Sequence, residues 1–409
     1  MPLAFLLALL LPLLSAPAPP LPDRAATVAA DTTDDEIDVG VLLIPSGFFS
    51  PLRGIGFGGG LDIDNLVAPG TEFVVSAQVM QRFQRYRTSF FTGDPFRAPL
   101  FVGLTGEYLS NQVRGYYGLG PQTRRRNKVL LDIEEIEGEV RLGWYPLDQH
   151  WLLLQPVVRV LHTHVRSFRD RREDAFLRLD AASQRALFEA VEEPATGITY
   201  GLEVALDDRD RPLYSTRGAL LLLTARRYDG LAGDVFSHYT GTASFYGFVP
   251  LPDDRHVLFT RAVLALTRKI GDEPLPYHAL PVLDDNLIGA YPGHRLTGND
   301  LLAFTAGYRF PVFTLLNWFA LDAHLAVSAA NAYDDLFEQF EPGITFASDL
   351  RDEDERTPLR PSLAVGVRLV NLDEGRALIG GQIGVDAEGF RLATLEFVYG
   401  IRDVRPLVR

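Results

Sequence analysis

The chain contains no cysteine and only two lysines, Lys128 and Lys269, among its 409 residues. The absence of cysteine excludes disulfide bonds, thiolate catalysis, cysteine-based zinc sites and a lipid-modified N-terminal cysteine. A net charge of -14 disfavours nucleic acid as a partner, because the phosphate backbone requires a basic surface. The mean hydropathy of +0.04 argues against a helical membrane protein.

Long apolar runs are also scarce. The longest covers residues 3–14, which is too short for a transmembrane helix and is typical of the hydrophobic region of a signal peptide. We predict a signal peptide over residues 1–30, with cleavage after Ala18 or after Ala30, and a short disordered lead at 31–35. Export without a later membrane helix leaves the periplasm, the outer membrane or secretion as destinations.

The chain is instead rich in alternation of polar and apolar residues with a period of two, seen most clearly over residues 129–144. Successive side chains of a strand point to opposite faces, so this segment has two unlike faces. The polar face carries Glu135, Glu137, Glu139 and Arg141. The pattern recurs to Ile401 without core-forming helices, which indicates a membrane barrel with apolar side chains facing lipid and polar ones facing a lumen.

We predict about sixteen strands, an even number as expected for a single-chain bacterial barrel. The predicted strands are 36–45, 53–64, 71–82, 86–92, 98–110, 129–144, 150–163, 197–208, 216–228, 235–249, 255–269, 300–312, 317–331, 361–370, 376–386 and 390–401. Short connections alternate with long ones, as periplasmic turns do with extracellular loops. The predicted fold is therefore all-β, a single transmembrane antiparallel barrel over residues 36–401, with a tail at 402–409 and both termini in the periplasm.

Two of the long connections carry further signals. The connection 164–196 has a helical pattern from Glu173 to Glu193, stopped by Pro194. Its apolar positions are Phe176, Leu179, Leu187 and Val191. They would either cap the barrel mouth or belong to a mobile surface helix. The arginines at 124–126 indicate a solvated loop or a lipopolysaccharide contact.

Three segments resemble motifs of one protein family. They are Tyr116–Thr123, with its aromatic-Gly-x-Gly pattern, Leu206–Gly218, and Leu287–Val312. The segments are similar to those of the BamA/TamA outer-membrane assembly superfamily, also called the bacterial surface antigen family, and follow the fifth, eighth and eleventh predicted strands, as in the family fold. The family-like positions are Gly118, Gly120, Asp207, Arg209, Asp210, Gly218, Tyr308 and Arg309. Family members usually carry periplasmic POTRA domains before the barrel, and we expect none here.

The resemblance implies a long sixth extracellular loop folded into the lumen, where its arginine pairs with an aspartate of strand thirteen. One register places Ile288-Gly289-Ala290 at the family's Arg-Gly-aromatic motif, and another makes Arg295 the inserted cation. The expected loop positions are Gly289, Gly293, Arg295 and Gly298. Ser328 stands where the family has the aspartate, so the expected lumen partners are Asp322, His324, Ser328, Glu135, Glu137 and Glu139. A buried arginine without a carboxylate would be costly.

The resemblance implies a bacterial outer-membrane protein that assists insertion or translocation of other proteins. Its surroundings would be outer-membrane lipid and lipopolysaccharide, with a client or a separate periplasmic partner. A weakly closed seam between the segments 36–45 and 390–401 would template a client strand. The alternatives are a passive or cation-preferring channel, suggested by the acidic inner face, and a surface-interaction barrel. We expect no catalytic residue, metal or cofactor.

Overall fold

Strands dominate the computed structural model. It describes residues 39–397, apart from 51–52, 94–97, 147–150, 171–173, 193, 212–213, 232–235, 253–254, 272–274, 284–290, 292–293, 316–318, 347–355, 372–375 and 387. The long strands are β1 (Gly40–Ser50), β2 (Gly54–Asp64), β3 (Glu72–Met80), β4 (Phe83–Phe91), β5 (Leu100–Tyr116), β6 (Val129–Trp144), β7 (Leu152–Asp170), β8 (Ala195–Asp207), β9 (Gly218–Gly230), β10 (Ser237–Pro250), β11 (Val257–Ile270), β12 (Asp300–Leu315), β13 (Phe319–Tyr333), β15 (Thr357–Asn371), β16 (Arg376–Asp386) and β17 (Gly389–Phe397). These sixteen strands are antiparallel to their neighbours. The short β14 (Phe340–Ile344) pairs with β15 in parallel.

The prediction of about sixteen antiparallel strands is confirmed, and β6 and β16 have the predicted bounds. The predicted end of the first strand was wrong: β1 continues past residue 45 to Ser50, because Pro45 and Gly47 still find partners along the glycine-rich β2. Residues 36–38 of that prediction, and 398–401 of the last, lie outside the described part. The strand β14 was missed, since its Pro342 and Gly343 are typical of a loop.

The last strand of the sheet pairs with the first. Each long strand from β1 to β16 pairs with the next long strand over at least seven positions. Strand β17 pairs with β1 at two positions, Phe48 with Glu396 and Phe49 with Leu395. We call this β1–β17 junction the seam. The described contact uses the later half of β1. In this register the predicted segment 36–45 faces positions after 397, outside the described part, so its pairing with 390–401 stays a prediction.

The two faces of the wall differ as the alternation predicts. In β6 the apolar residues Ile136, Val140, Leu142 and Trp144 point outward and are 41–51% exposed, whereas Glu139 and Arg141 are buried. An outward apolar surface over the whole sheet is what lipid requires. No helix within the described residues is long and apolar enough to cross a membrane.

All long connections leave one end of the barrel, which we call the loop end. They are residues 117–128, 171–194, 271–299 and 334–356. The opposite, turn end carries the short connections 145–151, 208–217, 251–256, 316–318 and 372–375. The loop end contains the helices α1 (Ala181–Glu192) and α2 (Leu336–Gln339), and short 3-10 helices that include Phe176–Arg178 and Tyr277–Ala279.

Helix α1 closes part of the mouth. It begins at Ala181 rather than at Glu173, because Asp180 caps it: the amide of Ser183 donates to Asp180 Oδ1 at 2.7 Å. Residues 173 and 193 lie outside the described part. Leu179 and Leu187 are buried against the inward side chains of β6, and Phe176 and Val191 pack on the same cluster. This packing favours the interpretation of the apolar positions as a cap over the lumen.

Candidate functional site

Loop 6, residues 271–299, folds into the barrel. Its described parts double back on themselves: the amide of Leu283 donates to the Leu296 carbonyl at 3.1 Å. Leu283, Tyr291 and Leu296 are buried among inward alanines and valine of β11, β12 and β13. At Gly298 a Cβ would stand 2.8 Å from the Tyr333 carbonyl oxygen, so the chain passes too close to β13 for a side chain. The other two expected loop glycines, Gly289 and Gly293, lie outside the described residues.

Arg295 is the buried cation of loop 6, with 2% of its side chain exposed. Its Nη1 donates to Asp386 Oδ2 at 2.6 Å and its Nη2 donates to Glu388 Oε1 at 2.5 Å. Its guanidinium lies 4.9 Å from the ring centre of Tyr291. Burial raises the pKa of Tyr291 to about 12, so this ring stays uncharged beneath the cation.

A second arginine completes the group. The Arg125 Nη2 donates to Asp386 Oδ2 at 3.0 Å, and its backbone amide donates to Glu388 Oε2 at 2.7 Å. Two cations thus face two carboxylates, and we call Arg125, Arg295, Asp386 and Glu388 the mouth cluster. Sequence reasoning missed it by interpreting the arginines at 124–126 as a solvated loop or a lipopolysaccharide contact. The signal available was the Asp386-x-Glu388-Gly389 turn, which places two carboxylates at the tip of the last hairpin.

The expected partners of Arg295 were wrong. Loop 6 places Arg295 level with the hairpin tip at the loop end, whereas the expected residues of β13 lie along the wall below. Ser328 hydrogen-bonds with Thr305 at 2.8 Å, and the ring of His324 lies against Gly366. Asp322 accepts from the Tyr214 hydroxyl at 2.5 Å.

The glutamates of β6 form ion pairs with arginines of the barrel wall. Their partners in three ion pairs are Arg114 for Glu135 at 2.6 Å, Arg159 for Glu137 at 3.5 Å, and Arg141 for Glu139. Glu107 and Glu203 pair in the same way, with Arg85 and Arg226. The prediction that the glutamate face of β6 points into the lumen is confirmed. The paired arginines offset the negative charge of that face. A cavity of about 130 Å³ is lined by these pairs and by Tyr277, His278 and His294 of loop 6.

The turn between β8 and β9 is built from its motif residues. Arg209 donates to both oxygens of Asp207, each at 2.7 Å. Asp210 accepts from the Thr216 amide at 2.8 Å and from the Thr216 hydroxyl at 2.7 Å. Gly218 ends the turn with a φ of +92°, a conformation that favours glycine. The motif positions of this segment therefore set the shape of the turn.

That turn reaches across to β12 and β13. Arg309 donates to the Ser215 carbonyl at 2.6 Å and lies 4.4 Å from the ring centre of Tyr214. Burial, followed by the bond to Asp322, raises the pKa of Tyr214. The second and third motifs thus meet at the turn end. Tyr308 contributes differently, through a hydrogen bond with His256 of the neighbouring turn.

The first motif, Tyr116–Thr123, connects two segments at the loop end of the barrel. Gly118 and Gly120 have φ values of +102° and +70°, which let the chain turn beneath α1. The Leu119 amide donates to the Ser183 hydroxyl at 2.8 Å, and the Gly120 amide donates to the Thr297 carbonyl of loop 6 at 2.8 Å. The motif is therefore a junction between α1 and loop 6.

His278 gives loop 6 a pH dependence that can be measured. Neither ring nitrogen has a hydrogen-bond partner within the described residues, and burial lowers the pKa of His278 to about 4. The unfolded chain, with a pKa near 6.5, binds the proton first, so this group destabilises the fold as pH falls from about 6.5 to about 4. We expect His278→Gln to lose less thermal stability than the unaltered chain between pH 7 and pH 4.5. Equal losses would contradict the prediction.

Comparison with known proteins supports the fold. No family model matches the chain, and no curated protein matches it. Among solved structures, BamA from Haemophilus ducreyi lacking POTRA domains 1-3 is similar, with 13% identity and a TM-score of 0.57, covering 87% of this chain and 69% of that one. CdiB from Escherichia coli gives 13% identity and a TM-score of 0.49, and the match covers 92% of this chain and 62% of CdiB.

The similarity to BamA, at this identity, is one of fold. It defines the class of the protein as a transmembrane β-barrel of sixteen long antiparallel strands with a loop folded into its lumen.

Proposed function

We propose that this chain is a bacterial outer-membrane barrel, with both termini in the periplasm, that assists the insertion or translocation of other proteins. The observation that carries the proposal is the seam. Two residue pairs join β1 and β17 in the described part of the chain, whereas the other neighbouring long strands share at least seven. The fold similarity to BamA supports the same assignment.

A strand edge that lacks a partner has a direct physical consequence in a membrane. Backbone N–H and C=O groups have no water partners in the hydrocarbon layer, so an edge without a neighbouring strand is unfavourable there. A client strand that pairs with β1 or β17 would satisfy those groups by β-augmentation. The barrel would then template the client at its own edge while the rest of the wall stays closed.

A disulfide across the seam tests this proposal. The chain has no cysteine, so Phe48→Cys and Glu396→Cys would introduce its only two thiols. Cross-strand positions are close enough for a disulfide. In liposomes, we expect the reduced variant to accelerate folding of an added unfolded eight-stranded barrel, and the oxidised variant to lose at least about 90% of that acceleration, since β-augmentation needs a free edge.

The control is a disulfide at a fully paired junction. Ala243→Cys with Leu264→Cys joins β10 to β11 at positions that are already partners. Oxidation of that pair should leave client folding unchanged. If the oxidised seam variant accelerates folding as well as the reduced one, the seam is not the site of templating and the proposal fails.

The channel alternative is less well supported by the lumen. Each of the three β6 glutamates pairs with an arginine, and loop 6 and α1 fill the loop end with buried side chains. A cation-preferring pore would need carboxylates that face an open path. A large, steady cation current through the unaltered barrel would restore this alternative.

A further inference from the structure

The mouth cluster lies at the tip of the last hairpin, beside the seam. Asp386 ends β16 and Glu388 precedes β17, and the Glu388 amide donates to Asp386 Oδ1 at 2.9 Å. Arg295 approaches from loop 6, and Arg125 approaches from the connection after β5. Two arginines from separate loops therefore hold a single hairpin tip.

The barrel wall gives that tip little support on its seam side. In the observed register, Ser50 at the end of β1 reaches only as far as Thr394. The part of β17 from Gly389 to Leu392 pairs with β16 but extends beyond the end of β1. The two arginines therefore bind the hairpin tip from inside the barrel mouth. On the seam side, β1 does not extend far enough to pair with Gly389–Leu392.

The burial of the cluster makes this attachment strong. Arg295 and Asp386 have 2% and 1% of their side chains exposed, and Glu388 has 18%. Removing one partner of a buried ion pair is strongly destabilising, because the other charge is left buried without compensation. Without Arg295, the neighbouring carboxylates of Asp386 and Glu388 would lose the two ion pairs that loop 6 supplies and would keep Arg125 and the attraction of the nearby Arg360. Their repulsion and their need for water would favour movement of the tip toward solvent.

We propose that Arg295 keeps the seam closed by holding the last hairpin against loop 6, and that separation of the mouth cluster frees β17. The further step, in which the freed β17 pairs with a client strand, rests on the function proposed above. The link between Arg295 and the seam does not, because it concerns the barrel alone.

The test measures how fast the seam disulfide forms. In purified barrels carrying Phe48→Cys and Glu396→Cys, we expect Arg295→Gln to slow oxidation by about tenfold, because a loosened hairpin spends less time within disulfide geometry. The matched control is Arg268→Gln. Arg268 bonds the fully buried Asp300 at 2.5 and 3.0 Å, so this variant also leaves a buried aspartate without its arginine, but away from the hairpin. It should oxidise at the unaltered rate.

A milder variant keeps the test decisive if Arg295→Gln does not assemble. Glu388→Gln weakens one of the two ion pairs of Arg295 and should slow oxidation by about threefold, since the Asp386 pair persists. Unaltered oxidation in every variant that assembles would overturn the proposal. If oxidation slows while neither the variant nor the unaltered barrel accelerates client folding in liposomes, the role of Arg295 stands and the proposed insertase function fails.

Discussion

Replacing residues 275–298 with a short Gly-Ser linker is expected to raise the single-channel conductance of the barrel by at least about tenfold, because a sixteen-stranded barrel without a plug encloses an aqueous channel. Loop 6 supplies Tyr277, which packs against β5, β6, β7 and α1, and Leu283 and Leu296, which pack beside β11, β12 and β13. The strands themselves pair along their length without the loop. The measurement is conductance in planar bilayers.

The matched control is a Gly-Ser replacement of residues 341–346. These residues also lie at the loop end, but they are mostly exposed and outside the lumen. Their replacement should leave conductance unchanged. If both variants conduct as little as the unaltered barrel, the lumen is closed by something other than loop 6. A change in gel migration between heated and unheated samples of each variant would establish that the barrel is intact.

The second large effect is expected for Gly218→Ala. A Cβ at this position would stand 2.5 Å from the Asp208 carbonyl oxygen and 2.9 Å from Arg209 Cα, and both neighbours are backbone atoms that cannot rotate away. The φ of +92° adds strain for any residue with a side chain. We expect a loss of roughly 1–3 kcal/mol in the free energy of unfolding, the range for a strained left-handed residue.

Urea unfolding in lipid vesicles would measure this loss. Gly138→Ala is the control, because a Cβ at Gly138 meets nothing within 4 Å on the outward face of β6. Its free energy of unfolding should stay within about 0.5 kcal/mol of the unaltered value, as for surface substitutions elsewhere. A similar loss in both variants would show that the turn at Gly218 is not under the constraint that the geometry indicates.

The site was predictable in part. The alternation at 129–144 predicts which residues of β6 face the lumen, and the motif at 206–218 predicts a tight turn. Both inferences depend on local periodicity and turn chemistry, which neighbouring residues in the chain determine. The partners of Arg295 depend instead on how far loop 6 descends into the barrel. Asp386 is 91 residues away along the chain, and no local pattern connects the two positions.

The sequence by itself determined the class of fold. Apolar residues at every second position, turn residues between the strands and an even strand number are enough to specify a barrel with a polar interior, because lipid and lumen select opposite faces of each strand. The tertiary structure alone decided which charges meet. It paired the β6 glutamates with arginines of the wall, and it placed Arg295 and Arg125 on the last hairpin at the seam. The physical reason is that a buried charge must find its counterion wherever folding brings one, and sequence distance has no part in that choice.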